Sequence, residues 1–135
     1  MKKVSHIVAR VLIGHIFWIA GVSKIGAYEG TQGYMEVMGI PGALLPLVIL
    51  LEVVGGLAVI AGWQTKWASM ALAAFSVVAA TIFHSQFTDQ TQMILFMKNI
   101  AIAGGLMLLS IHGPGAYSLA RIPPTDEKYE LRRTT

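Results

Sequence analysis

Hydrophobic positions gather into four long apolar stretches, separated by short polar breaks. The stretches run at about 4–25, 43–63, 67–84 and 93–112. A helix of about 20 residues crosses the ~30 Å hydrocarbon core of a bilayer. A soluble four-helix bundle would show a polar face on every helix, and the third and fourth stretches show none. The pattern therefore predicts an all-α transmembrane four-helix bundle.

The first break is long and has an apolar pattern of its own. The segment GTQGYMEVMGIPG groups five apolar side chains, Tyr34, Met35, Val37, Met38 and Ile40. We expect a short helix in this first outer loop, lying in the membrane interface with its apolar side over the mouth of the bundle. After the fourth stretch the apolar pattern stops. The sequence thus predicts one membrane domain at 1–121 and a polar cytoplasmic tail at 122–135.

Composition and charge placement narrow the class of protein. The chain is 55% hydrophobic and 13% charged, and it contains no cysteine, which excludes disulfides and dithiol redox chemistry within the chain. The net charge of +3 is concentrated near the termini and the second loop, so it is not a nucleic-acid surface. The charged residues of the first and third loops are all acidic. The positive-inside rule then predicts that both termini are cytoplasmic, with the lipid bilayer as the main partner.

Ionisable residues inside the spans lie on stripes of small side chains. A lone charge at the bilayer centre costs about 2.5–3.5 kcal/mol, so such groups normally face the bundle interior and pair. The predicted inward stripes are Arg10, Gly14, Phe17, Gly21 and Lys24 in the first span, Glu52, Gly55, Gly56, Val59 and Gly62 in the second, Ser69, Ala73, Ser76 and Ala80 in the third, and Lys98, Gly105 and His112 in the fourth.

Depth along each helix ranks the partners of Glu52. At 1.5 Å per residue, Glu52 lies roughly 12–14 Å and Lys98 roughly 8 Å below the outer ends of their spans. Lys98 is therefore the first predicted partner of Glu52, Lys24 the second and Arg10 the third. His84 near the outer mouth is a further contributor to a site.

Other chemistry finds less support in the sequence. Asn99 is a further contributor to the predicted site, but it points away from Lys98 and is expected to bond a neighbouring helix. No catalytic constellation is apparent, and no His/carboxylate cluster has the spacing of a metal site. Two interpretations of the buried polar residues stay open. They fix the register of the helices, or they form a functional cluster such as a proton relay, a quinone headgroup site or an ion pathway.

The order of these polar and glycine positions resembles a known family. It comprises Arg10, Gly21 and Lys24, then Glu52, Gly55, Gly56 and Gly62, then Lys98 and Asn99, then the segment GPGAYSL at 113–119. Over residues 4–121 this arrangement is similar to the DoxX family of bacterial inner-membrane proteins, and most of all to its small enterobacterial-type members.

The resemblance implies a multi-pass inner-membrane protein linked to redox chemistry. It suggests a subunit or accessory of a quinone-linked redox or oxidative-stress system, with quinone as cofactor, redox proteins as partners, and Arg10, Lys24, Glu52 and Lys98 as the polar positions. As an enzyme component the chain would be at most a quinone-site or non-catalytic subunit of an oxidoreductase. Two alternative functions stay open: a small transporter or channel component, and a structural or assembly protein. A homo-oligomer is also left open.

Overall fold

The computed structural model describes residues 1–115 and 117–119. Within them lie five α-helices and one 3-10 turn: α1 (Lys2–Gly26), α2 (Tyr28–Val37), the 3-10 turn (Gly42–Leu44), α3 (Leu45–Ala61), α4 (Thr65–Phe83) and α5 (Gln90–His112). Four helical segments are long and apolar enough to span a membrane, namely α1, Gly42–Ala61, α4 and α5. This confirms the predicted all-α transmembrane bundle, and the predicted spans are close to the observed ones.

Local sequence signals set the ends of these helices. Pro46 stands in the first turn of α3, where its missing N–H costs no intrahelical bond. Gly62 ends α3 in the left-handed conformation, with φ of 73°. The Asp89 side chain caps α5 by accepting a hydrogen bond from the Thr91 N–H at 2.8 Å. The loops between the spans are therefore defined by residues that stop or start helices.

The spanning helices lie side by side in the order α1, α3, α4, α5. α1 packs along α3, α3 on α4, and α4 along α5. α5 approaches α1 at a few positions, and no Cα atom of α5 lies within 8 Å of one of α3. One core cluster joins all four helices, formed by Phe17, Val59, Leu72, Ala73, Ala103 and Leu106. Many large apolar side chains stay exposed on the outside, among them Leu12, Leu47 and Leu108, and these contact the lipid of the bilayer.

Glycines allow α1 and α3 to touch backbone to backbone. A Cβ added at Gly14 would lie 2.8 Å from the Gly56 carbonyl oxygen, and one added at Gly56 would lie 2.9 Å from the Gly14 oxygen. Both distances are too short for any side chain, so these two positions require glycine. Such small-residue contacts are typical of helix association in membranes, where van der Waals packing is a main driving force.

Three of the four predicted inward stripes are buried. The buried residues include Arg10, Gly14, Phe17 and Gly21 on α1, Glu52, Gly55, Gly56 and Val59 on α3, and Ser69, Ala73, Ser76 and Ala80 on α4. The stripe predicted for the fourth span is wrong. α5 buries Ala103 and Leu106, while Lys98 is exposed. Ala103 follows Lys98 by five positions, which is about 140° around a helix.

The first loop contains the predicted short helix. Met35 of α2 is buried, and the Tyr34 ring stacks on Phe83 at the end of α4, with ring centroids 5.4 Å apart. The Gln32 side-chain amide donates to the Gly42 carbonyl oxygen at 3.2 Å, which holds α2 against the start of α3. Its position in a membrane interface stays a prediction. We name this side of the molecule the α2 end.

At the opposite side, the N-terminal end, the chain returns across the bundle. Residues 113–115 and 117–119, named the strap, follow α5. The Leu119 N–H donates to the Ala61 carbonyl oxygen at 3.0 Å, and the Tyr117 carbonyl oxygen accepts from Arg10 at 2.7 Å. The strap therefore joins the end of α5 to α1 and α3. The predicted tail at 122–135 lies outside the described residues.

Candidate functional site

Lys24 and Glu52 form an ion pair inside the bundle. The Lys24 ammonium donates to both carboxylate oxygens, at 3.0 Å to Oε1 and 2.8 Å to Oε2. The Glu52 side chain is 5% exposed, whereas that of Lys24 is 27% exposed. The carboxylate is therefore enclosed, whereas the Lys24 side chain stays partly exposed.

Close packing of α1 on α3 places this pair. A Cβ at Gly21 would lie 3.1 Å from the Glu52 Cβ and 2.7 Å from the Val53 side chain, so α1 rests directly on α3 there. Lys24 follows Gly21 by one turn on the same face of α1. Its long side chain can then fold back onto the Glu52 carboxylate.

The prediction that Lys98 is the first partner of Glu52 is wrong. Glu52 pairs with Lys24, the second predicted partner, and Lys98 is exposed on α5. The physical reason is the order of the helices. Depth made Lys98 the better match, but α5 does not meet α3, whereas α1 packs along its length.

Arg10 does not join the Lys24–Glu52 pair. It lies 14 residues before Lys24 on the same helix, which is about 21 Å. Its side chain is almost fully enclosed at the N-terminal end, with the residue 2% exposed. Nη2 donates to the Tyr117 carbonyl oxygen, while Nε and Nη1 have no partner among the described residues. Of the four residues in the predicted cluster, Lys24 and Glu52 meet, while Arg10 and Lys98 lie apart from them.

The remaining predicted residues take up local hydrogen bonds. A ring nitrogen of His84, Nδ1, lies 2.8 Å from Gln92 Oε1, which ties the end of α4 to the start of α5. Asn99 Nδ2 donates to the Leu95 carbonyl oxygen at 3.1 Å, so it bonds its own helix rather than the expected neighbour. The structure therefore brings neither residue to the Glu52 carboxylate.

Two buried hydroxyls near the start of α4 were not part of the predicted site. Thr65 Oγ1 and Ser69 Oγ are buried and have no hydrogen-bond partner among the described residues. By contrast, Ser76 donates to the Leu72 carbonyl oxygen at 2.8 Å, the usual bond of a hydroxyl in a helix. Ser69 was on a predicted stripe, but only as a small residue.

These features define a polytopic α-helical membrane protein with an ion pair between its first and second spans. The profile of the DoxX family matches residues 6–85. The chain belongs to the DoxX family.

Relatives support both the family and the location. Over 122 residues the chain is 48% identical to inner membrane protein YqjF of Escherichia coli K12, covering 90% of this chain and 94% of the relative. It is 34% identical over 128 residues to inner membrane protein YphA of the same organism, covering 89% and 91%. The chain is an integral inner-membrane protein.

A more distant relative bears a functional name. The chain is 28% identical over 110 residues to a Bacillus subtilis 168 protein named "Putative oxidoreductase CatD", covering 82% of this chain and 77% of the relative. No solved structure matches the chain at a significant level.

Proposed function

We propose that this protein is a membrane subunit or accessory of a quinone-linked redox or oxidative-stress system, and that Lys24 with Glu52 forms its quinone headgroup site. The observation that carries this proposal is the unequal exposure of the pair. Glu52 is enclosed and holds the ammonium, while Lys24 stays 27% exposed. A buried carboxylate paired with a partly exposed lysine is an arrangement suited to a ligand.

The hydrogen-bond inventory of Lys24 leaves one donor for that ligand. An ammonium has three N–H groups, and two of them go to the Glu52 carboxylate. The third can donate to a carbonyl oxygen of a quinone ring. Such a bond from a charged donor is stronger than a neutral one, and more so where water is scarce.

Glu52 would keep the ammonium in place and balance its charge. Without the carboxylate, a cation inside the membrane costs about 2.5–3.5 kcal/mol. The ion pair offsets this cost, so a charged donor can be kept at that depth. Because the chain has no cysteine, electrons would come from a partner protein rather than from a dithiol in this chain. The name of the CatD relative supports a redox context.

The proposed topology has both termini in the cytoplasm. Lys2, Lys3 and Lys66 belong to the N-terminal end, whereas Glu29 and Asp89 belong to the loops at the α2 end. The positive-inside rule then directs the N-terminal end to the cytoplasm. The Lys24–Glu52 pair would lie in the outer half of the membrane.

Quinone retention tests the proposal. Wild type and three variants, Lys24→Gln, Glu52→Gln and Lys98→Gln, are purified from native membranes in mild detergent, and quinone per protein is quantified by chromatography. We expect retention in wild type and in Lys98→Gln, because Lys98 is an exposed lysine of the same bundle. Lys24→Gln should retain about tenfold less, as expected for loss of a charged hydrogen bond.

Two results together would overturn the proposal. Wild type would retain no quinone, and Glu52→Gln would leave quinone-dependent activity of the host membrane unchanged. A structural role is the second candidate, favoured because the pair joins α1 and α3, two closely packed helices. For that role, the swap Lys24→Glu with Glu52→Lys should restore protein levels lost in each single variant, with no change in quinone content.

A further inference from the structure

The N-terminal end holds an open cleft that is separate from the ion pair. It has a volume of about 420 Å³ and lies between the start of α4 and the strap, lined in part by Trp63, Thr65, Lys66, Trp67, Pro114 and Leu119. Trp63 and Trp67 are 50% and 65% exposed. Exposed tryptophans at the end of a spanning helix are typical of the level of lipid headgroups.

The start of α4 offers unused donors to this cleft. The first N–H groups of a helix have no intrahelical acceptor. At α4 the N-cap residue Gln64 supplies no side-chain hydrogen bond, and the Ala68 N–H, which donates to the Gln64 carbonyl oxygen at 3.0 Å, begins the ladder. The N–H groups of Thr65, Lys66 and Trp67 therefore have no acceptor within α4.

Thr65 provides an independent sign of a missing acceptor. The residue is 3% exposed, lines the cleft, and its Oγ1 has no partner among the described residues. Because Thr65 is the first residue of α4, no earlier turn of the same helix supplies the carbonyl oxygen that a hydroxyl inside a helix usually bonds. The hydroxyl is thus buried without a hydrogen bond to any described residue.

The charge around the cleft favours an anion. Lys66 lines it, Lys2 and Lys3 stand at the same end, and Arg10 packs against Gly62 just behind the turn. The carboxylates of the described residues, Glu29, Glu36, Glu52 and Asp89, belong to the loops of the α2 end or to the middle of α3. A positive potential here is reinforced by the dipole of α4.

We propose that the N-terminus of α4, with the Thr65 hydroxyl and the Lys66 ammonium, binds a phosphate group in this cleft. A phosphate carries several acceptor oxygens and can satisfy the backbone N–H groups, the hydroxyl and the ammonium together. The two exposed tryptophans favour a phosphate that belongs to an anionic phospholipid, whose acyl chains would lie along the outside of the bundle.

Lipid binding to the purified full chain tests the site. Native mass spectrometry measures binding of phosphatidylglycerol by wild type, Thr65→Val and Lys66→Gln. We expect one tight lipid in wild type, and about five- to tenfold weaker binding in each variant, because each loses one donor. Thr81→Val and Lys2→Gln are matched controls, since Thr81 bonds its own helix at Val77 and Lys2 does not line the cleft.

A second measurement separates the two sources of phosphate. Inorganic phosphate is titrated into the lipid-free protein and followed by calorimetry. Binding of the lipid that depends on Thr65 and Lys66 supports a headgroup. Binding of inorganic phosphate with the same dependence, and none of the lipid, supports a free phosphate.

If neither ligand depends on these residues, the proposal is overturned. Thr65→Val could fail to fold because Thr65 is buried. In that case Lys66→Gln decides, because Lys66 is exposed.

Discussion

α1 carries one buried or half-buried cation toward each end of the bundle, and the two cations are treated differently. Lys24 meets a carboxylate that accepts two hydrogen bonds from it. Arg10 meets a single backbone carbonyl oxygen, and two of its nitrogen atoms stay without a partner among the described residues. A buried charge costs several kcal/mol unless an opposite charge and hydrogen bonds compensate it. The buried charges toward the α2 end therefore compensate each other, whereas the N-terminal end has hydrogen-bond donors without a partner among the described residues.

This difference separates the two proposals. A complete ion pair can act only through the one N–H of Lys24 that is left over. The unpartnered donor atoms at the N-terminal end include Nε and Nη1 of Arg10 and Oγ1 of Thr65, and they need an acceptor from outside the described residues. Substitutions at the two ends should therefore have different effects. Those at the α2 end break an existing ion pair, and those at the N-terminal end change the lining of an open cleft.

The largest effect should come from separating α1 and α3. Gly56→Leu would place a side chain where the Gly14 carbonyl oxygen lies 2.9 Å from an added Cβ. We expect a loss of about 3 kcal/mol or more in the free energy of unfolding, because overpacking here shifts backbone. Unfolding in mixed micelles, followed by tryptophan fluorescence, measures it. Gly104→Leu is the control, since nothing lies within 4 Å of an added Cβ there, and equal losses in both variants would contradict the close contact.

Removing the charge of Glu52 should be the next largest change. Glu52→Gln leaves the Lys24 ammonium with a neutral partner inside the membrane, so we expect a loss of about 2 kcal/mol. The same unfolding assay reads it out. Adding Lys24→Gln to Glu52→Gln should recover part of the loss, because no uncompensated charge remains. A double variant that is less stable than either single variant would show that the pair does not act as a unit.

Gly62→Ala probes the N-terminal end. Its Cβ would collide with Arg10 Nη1 and with Ser118, and its φ of 73° disfavours any L side chain. We expect a loss of about 1–2 kcal/mol in the free energy of unfolding. Gly104→Ala should leave stability unchanged or raise it, since alanine favours a helix. The prediction fails if both substitutions behave alike.

The smallest effect should come from Lys98. It is exposed on α5 and makes no ion pair with a described residue. Lys98→Gln should change the free energy of unfolding by about 0.5 kcal/mol or less. A change as large as that of Glu52→Gln would indicate that Lys98 contributes to the buried cluster after all.

Periodicity predicted the spans and three inward faces because each of those faces combines charges or hydroxyls with small residues. The buried face of α5 was predicted wrongly because small residues such as Ala101, Ala103 and Gly104 lie on several of its faces. The face was therefore assigned from the charge of Lys98, which is exposed. The partner of Glu52 depends on which helix lies beside α3. That order of helices follows from packing of the whole bundle. The sequence around Lys24 or Lys98 does not indicate which of their helices lies beside α3.

The unpartnered groups at the N-terminal end could not be predicted in the same way. Arg10 was singled out by its charge, but its acceptor lies 107 positions later, in a strap that the sequence showed only as a helix stop. Thr65 resembles any other threonine at a helix start. That its hydroxyl is buried without a partner among the described residues depends on packing around the turn between α3 and α4, which the sequence does not show.

That strap has a consequence for the timing of synthesis. Glu52 follows Lys24 by 28 positions, so this pair can form as soon as α3 enters the membrane. Arg10 has to wait for Tyr117, 107 positions away, which at 5–20 residues per second is about 5–20 s. During that interval the first helix carries an arginine without its final acceptor. The last described residues of the chain therefore complete the environment of a residue that is made 107 positions earlier.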